Sequence, residues 1–322
     1  MVVNDETGWS GIGWDGWTNL NLIRARLDAG TDPNSEVSFL GRPLHVAAER
    51  GSPEVVAELA RHVDDIDAEH EDRTALWEAV FNNRPGNARA LVAAGADPWR
   101  PMMNSWSPGR LSLASLTPDL FPLPDGEAGL SSAETAAAVE ARHLITTLGR
   151  LEHNGFSLAC VASVTATEAA QRLEAVPADD ADVEELMEDP WEDEDDSLAV
   201  IGVTDVPGGC VVFQPWAYNA STPGVMKRLS TGTVCHGMYA NPKSGNQGAV
   251  ARNGVIEEWD THPGGGGVSA DEPAEEILAT YLYHRQAVAY CFAGAALRPT
   301  DARSITDQPD MWLRLPERDW WT

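Results

Sequence analysis

Two kinds of hydrophobic pattern divide this chain. From about residue 18 to about residue 150, apolar positions recur every three or four residues in short stretches, the period of helices that bury one face. The pattern also repeats. The stretch RPLHVAAERGSPEVVAELARHVDDID from Arg42 aligns with TALWEAVFNNRPGNARALVAAGADP from Thr74. Leu44 matches Leu76, Ala47 matches Ala79 and Leu59 matches Leu91, each 32 residues apart. Upstream, NLIRARLDAGTDPN repeats the second half of the unit. Each unit reads as two short helices. Pro43 suits a first helical position, where its missing N–H costs nothing. Leu44 and Ala47 offer a small apolar face to the neighbouring unit. Gly51 is expected to end the first helix in the left-handed conformation. Pro53 opens the second helix, whose inner stripe is Val55, Val56 and Leu59. Gly30 and Gly95 stop second helices. A fourth unit is expected to start at WSPGRLSLA and, after a Pro-rich insertion, resume at AETAAAVEARHLITTLG. Two regular units thus stand between two degenerate ones, as the ends of a stacked array require.

From Phe156 the apolar runs become strand-length. FSLACVASV, LAVIGVTDV, TVCHGMYAN and GVIEEWDTH read as strands, and CVVFQPW follows its predecessor across a PGG turn as a hairpin. TATEAAQRLEA and TPGVMKRLS read as helices. SADEPAEEILATYLYHRQAVAYCF reads as one long helix opened by a capping box, Ser269 with Glu272. The expected fold is an N-terminal α-solenoid followed by an α+β domain with a mainly antiparallel sheet, divided as 1–150 and 151–322.

The repeating half resembles the ankyrin repeat family. RPLHVAA stands where that family has T-P-L-H-x-A-A, and AGTDPN and AGADPW stand where it has x-G-A-D-x-N. Arg42 departs from the family's Thr, Trp77 from its His, and NNRP from its Gly-rich turn. The resemblance implies a binding scaffold that presents turn tips and first helices on a concave face. Carried over position by position, that face comprises Leu40, Arg42, Val46, Glu49 and Arg50 in one unit and Asp72, Arg73, Glu78, Phe81 and Asn82 in the next. The other half resembles an uncharacterised actinobacterial domain family over roughly 155–315, through VTDVPGGCVVFQPWAYNASTPGVMKRLSTGTVCHGMYAN and RNGVIEEWD. That family lends no catalytic residues.

Charge narrows the function. The net charge is −28, with twenty Arg and two Lys, Lys227 and Lys243. Such a surface disfavours nucleic acid backbones and anionic membranes. It favours a basic protein partner or simple solubility. Residues 179–196 carry twelve carboxylates in eighteen positions and read as a solvated acidic loop, or as a lure for a basic partner with Leu186, Met187 and Trp191 as anchors. Twelve Trp are present. Trp9, Trp14, Trp17, Trp320 and Trp321 read as rings that shield core ends or anchor a partner. The four Cys, at 160, 210, 235 and 291, are expected to be buried reduced thiols of a cytoplasmic protein. No signal peptide or bilayer-spanning run is read.

Catalytic patterns are sparse. Cys235 and His236 are adjacent, so a strand directs them to opposite faces and they cannot share a metal. HPGGGGVSADE lacks the lysine of a phosphate loop. His45 occupies a position that is usually structural in the ankyrin family. No metal site or cofactor is expected. The favoured function is a non-enzymatic interaction module, an immunity-type inhibitor or a regulatory scaffold. The alternative is an enzyme, for example of specialised metabolism, in the α+β domain or at its boundary with the repeats. Trp216, Tyr218, His236, Tyr239 and Trp259 are the residues to test for that alternative.

Overall fold

The computed structural model describes residues 8–9, 11–37, 41–151, 154–190 and 194–322. It divides into two compact units: residues up to Ala138 together with Gly267–Leu282, and Val139–Gly266 together with Tyr283–Thr322. The expected cut at 150 differs in two respects. The division falls inside a helix, and a sixteen-residue excursion from the second half belongs to the first unit.

The first unit opens with a 3-10 turn, Trp14–Thr18, where the degenerate first repeat lacks its leading helix. Then follow α1 (Leu20–Asp28), α2 (Pro43–Arg50), α3 (Pro53–Ala60), the hairpin β1 (Glu69–His70) and β2 (Arg73–Thr74), α4 (Ala75–Phe81), α5 (Pro85–Ala93), α6 (Pro108–Ser112) and α7 (Ser132–Leu148). The caps are local and legible. Asn19, Ser52, Thr74 and Ser107 each accept a backbone N–H of the helix they precede. Ser131 and Glu134 form a reciprocal box at the start of α7. Gly30 and Gly95 take the left-handed φ that stops α1 and α5, and Asn83 takes it in the NNRP turn (φ 53°). Stacking is locked by Asn87, buried in α5. Its amide donates to the carbonyls of Ala47, Ala48 and Gly51 at the C-terminal end of α2.

Gly51 corrects an expectation. Its φ is −78° with ψ −175°, extended rather than left-handed. Glycine is needed there for space: a Cβ would lie 2.7 Å from the Ala47 carbonyl oxygen and 2.8 Å from that of Trp17. Both obstacles are backbone, so Gly51→Ala is expected to cost about 2 kcal/mol, read as a lower urea midpoint of unfolding. A change below about 0.5 kcal/mol would contradict this packing.

The second unit is built on one sheet. Its strands are β3 (Ser157–Ala162), β4 (Val176–Pro177), β5 (Val200–Val206), β6 (Gly209–Gln214), β7 (Val234–Asn241), β8 (Gly245–Arg252), β9 (Val255–Thr261) and β10 (Met311–Arg314). Their spatial order is β4-β10-β5-β6-β3-β7-β8-β9, antiparallel throughout. Between strands run α8 (Ala166–Leu173), α9 (Asp180–Glu188), α10 (Glu194–Ala199), α11 (Pro223–Leu229), α12 (Ala274–Leu282) and α13 (Ala287–Gly294). On one face, α8 and α11 bury Ala159, Val161, Val203, Val212 and Cys235. On the other, α13 packs on β7 and β3. Central strands covered on both sides read as unbroken apolar runs, as FSLACVASV does.

Three sequence expectations change. The long helix from Ser269 is two helices, α12 and α13, with Arg285 at φ 61° between them. The Ser269 N–H does bond the Glu272 carboxylate, but the helix begins only at Ala274, after Pro273. The acidic loop 179–196 contains the helix α9, capped by Asp179 and seated by buried Val183 and Leu186.

α12 belongs to the repeats. Val268, Ile277, Leu278 and Tyr281 are buried in the same core as Leu76, Trp77, Phe81 and Trp106. The Trp106 indole donates to the Ala274 carbonyl (2.9 Å) and the Asn104 amide to that of Glu272 (3.0 Å).

Candidate functional site

The hairpin β1–β2 forms a repeat tip. Glu71 and Asp72 both have positive φ, 49° and 60°, the geometry of a type I′ turn. It holds Asp72 and Glu71 exposed in solvent. His45 lies below it, buried in α2, its Nε2 bonded to the Arg73 carbonyl (3.0 Å). Burial pushes its pKa down to about 4, so at neutral pH it is a neutral donor that ties helix to tip, as the structural reading of PLH expects.

The concave-face residues separate into three groups. Leu40 lies outside the described residues. Val46 and Phe81 are buried, Phe81 with its ring 5.8 Å from that of Tyr281, so α12 covers part of the face that a partner was expected to meet. Arg42, Glu49, Arg50, Asp72, Arg73, Glu78 and Asn82 keep solvent access. Several of these are tied to neighbours. Arg73 pairs with Glu71 (2.7 Å) and Glu78 (3.3 Å), Arg50 with Glu49 (3.1 Å), and Asn82 donates to Glu78. The Arg50 guanidinium also lies 3.7 Å from the ring centre of exposed Trp14. Burial raises the Glu78 carboxyl, and Arg73 opposes that shift. Glu78 is therefore part of the scaffold; at the tip Glu71 is exposed but paired with Arg73, and Asp72 is exposed with no ion pair among the described residues.

The acidic run supplies little of the anchor once read for it. Leu186 is buried, Met187 is half exposed, and Trp191 lies outside the described residues. The terminal tryptophans divide: Trp9, Trp17 and Trp320 are buried, whereas Trp14 and Trp321 are exposed. The four cysteines are free and buried, and burial pushes Cys210 and Cys291 up to about 12.

A pocket of about 660 Å³ opens in the second unit. Of the five residues named for a pocket there, Tyr218, Tyr239 and Trp259 line it. Trp216 does not; it is buried, stacked on Trp312 and donating to the Ser197 carbonyl. His236 does not either. It points to the other face of β7, where a Cβ on Gly294 would meet its imidazole. Cys235 faces the α8–α11 core instead, so the strand separates the two as expected.

Cross-strand pairing explains the pocket. Tyr239 pairs with Gln247, and Ala249 with Trp259. Directly paired residues share a face, so all four project to the side that α11 covers elsewhere. Regular alternation would send Trp259 to the face opposite Ile256. Instead Ala251 pairs with Ile256 and Val250 with Glu258, so Glu257 is an extra residue and Trp259 returns to the Ile256 face. A second bulge leaves Asp260 unpaired at φ 55°, and Asp260 joins Trp259 among the residues that line the pocket. Sequence reasoning missed Asp260, Lys243 and Trp321, which also line the pocket.

Among the described residues, no three His, Cys, Asp or Glu gather in a way that could hold a metal. None of the helices there is long and apolar enough to cross a membrane. Residues 16–102 match the ankyrin-repeat family in three copies. Residues 16–102 are therefore an ankyrin array, a module for protein–protein interaction, and the chain also carries a large antiparallel sheet with helices. No curated protein matches the chain.

Proposed function

We propose that the protein is a non-enzymatic, cytoplasmic interaction protein whose ankyrin tips capture a basic protein, as an immunity-type inhibitor or a regulatory scaffold does. The ankyrin array carries this reading, and the net charge of −28 gives it a sign. A strongly acidic molecule draws a basic partner at long range and speeds encounter. The contact then falls on the repeat tip at Glu71 and Asp72. Behind it Glu49 pairs with Arg50 and Glu78 with Arg73, which also holds Glu71, so these residues shape the contact and Asp72 brings the unpaired charge. Glu71→Arg with Asp72→Arg is expected to slow association about tenfold and to flatten its salt dependence, with dissociation changed less. Stopped-flow or surface plasmon resonance against the captured partner reads this directly. An unchanged association rate would place the contact elsewhere.

The alternative, an enzyme, draws on the pocket of the α+β half. Its lining joins aromatic residues to Asp260 and to Ser221, whose hydroxyl donates to the Tyr218 carbonyl. That equipment serves binding first.

A further inference from the structure

We propose that the pocket beside β9 binds a methylated ammonium group. Four aromatic rings surround it in a continuous chain. Tyr239 and Tyr218 have ring centres 5.9 Å apart at 70°, Tyr218 and Trp321 5.7 Å at 42°, and Trp321 and Trp259 6.5 Å at 79°. A cation held ~4 Å above each of two perpendicular rings requires their centres to be ~6 Å apart. Two of the three pairs meet that condition closely. The rings are also available: Trp259 is 54% exposed and Trp321 56%. Large aromatics left open on both sides of a pocket await a partner surface.

The polar groups give the ligand its sign. Asp260 and Lys243 both line the pocket, and among the described residues neither has an ion-pair partner. Asp260 is held by the bulge next to Trp259, at the aromatic end. Lys243 stands on the exposed β7–β8 turn. A carboxylate adjoining aromatic faces selects a cation, and methyl groups on that cation shed the hydration that competes with the rings. Tyr239 stays a neutral phenol, because burial and then Tyr218 raise its pKa. The amides of Asn241 and Gln247, bonded to each other (3.0 Å), wall one side. The volume exceeds that of a trimethylammonium head, so the ligand has a stem. The site stands or falls independently of any partner of the repeats.

Calorimetric titration of the whole chain tests it, with choline, Nε-trimethyllysine, and 3,3-dimethylbutanol, the neutral carbon isostere of the choline head. One trimethylammonium probe is expected to bind with Kd of about 1 mM or tighter, and the isostere at least ~tenfold more weakly. Tighter choline assigns a small molecule, and tighter trimethyllysine a modified side chain. Trp259→Ala should weaken binding more than ~tenfold and Asp260→Asn ~fivefold, whereas Lys243→Gln, which removes a like charge from the lining, should tighten it. Circular dichroism melts monitor folding, and if Trp259→Ala unfolds, Trp321→Ala and Asp260→Asn carry the test. Equal binding of the isostere, silence of both cations to ~50 mM, or loss on Lys243→Gln with none on Asp260→Asn would overturn the proposal.

Discussion

Replacing Trp106 with alanine is expected to destabilise the repeat unit by about 4 kcal/mol, the upper range for removing a buried aromatic ring. Trp106 is fully buried, and Arg110 lies over its ring at 4.2 Å. Truncation leaves a cavity and also removes the indole N–H bond to the Ala274 carbonyl (2.9 Å). Trp106→Phe keeps most of the apolar area and loses that bond, so it should cost less, about 1–2 kcal/mol. The two variants separate packing from hydrogen bonding. Urea unfolding gives the totals. Hydrogen exchange gives the location: amides of Ala274–Leu282 should exchange faster in both variants, because that helix is held to the repeats through this residue. An alanine variant within 1 kcal/mol of the parent, or unchanged exchange in α12, would mean that the helix is held otherwise.

Acidification is expected to weaken the fold as pH falls from about 6.5 through about 4, with the loss from these groups levelling off below that. Two histidines cause it. Burial lowers His45 to about 4, against the opposing bond to the Arg73 carbonyl, with His70, Arg42 and Arg73 as charged neighbours. Burial, then the Arg252 charge, lowers His236 to about 4. An unfolded histidine takes its proton near pH 6.5. Between the two values the unfolded chain holds protons that the folded chain refuses, so stability is full above pH 6.5 and declines as pH falls. Each histidine then costs about 2 kcal/mol at pH 5 and about 3 kcal/mol at pH 4. His236→Leu removes the titrating group while keeping an apolar side chain against Gly294, so its stability should fall less from pH 7 to pH 5. Parallel pH profiles for parent and variant would show that His236 titrates normally.

What the sequence shows best is whatever is local and periodic. The repeat offset, the prolines opening α2 and α3, and the glycines ending α1 and α5 all act within one or two turns, and the structure keeps them. The strand runs of the second half were visible because a sheet covered on both faces selects continuous apolar stretches. β8 was not, since GNQGAVAR is rich in small residues and carries no apolar run. The segment around α12 escaped for another reason. Its apolar spacing predicts a buried helix, but spacing does not say which core a helix joins, and Tyr281 turned out to pack on Phe81. The pocket was half legible. Tyr218, Tyr239 and Trp259 stood out as aromatics, but two bulges set the face of Trp259 and the place of Asp260, and a bulge depends on the partner strand. Trp216 and His236 share the composition of that cluster and not its face.

The most direct test of the interaction reading is a tagged pull-down from the native host at low and moderate salt, run in parallel for the parent chain and for the Glu71→Arg, Asp72→Arg variant. The account predicts one stoichiometric basic protein with the parent, enriched at low salt and lost from the variant. A partner held equally by the variant, or no stoichiometric partner at either salt, would contradict capture by the ankyrin tip.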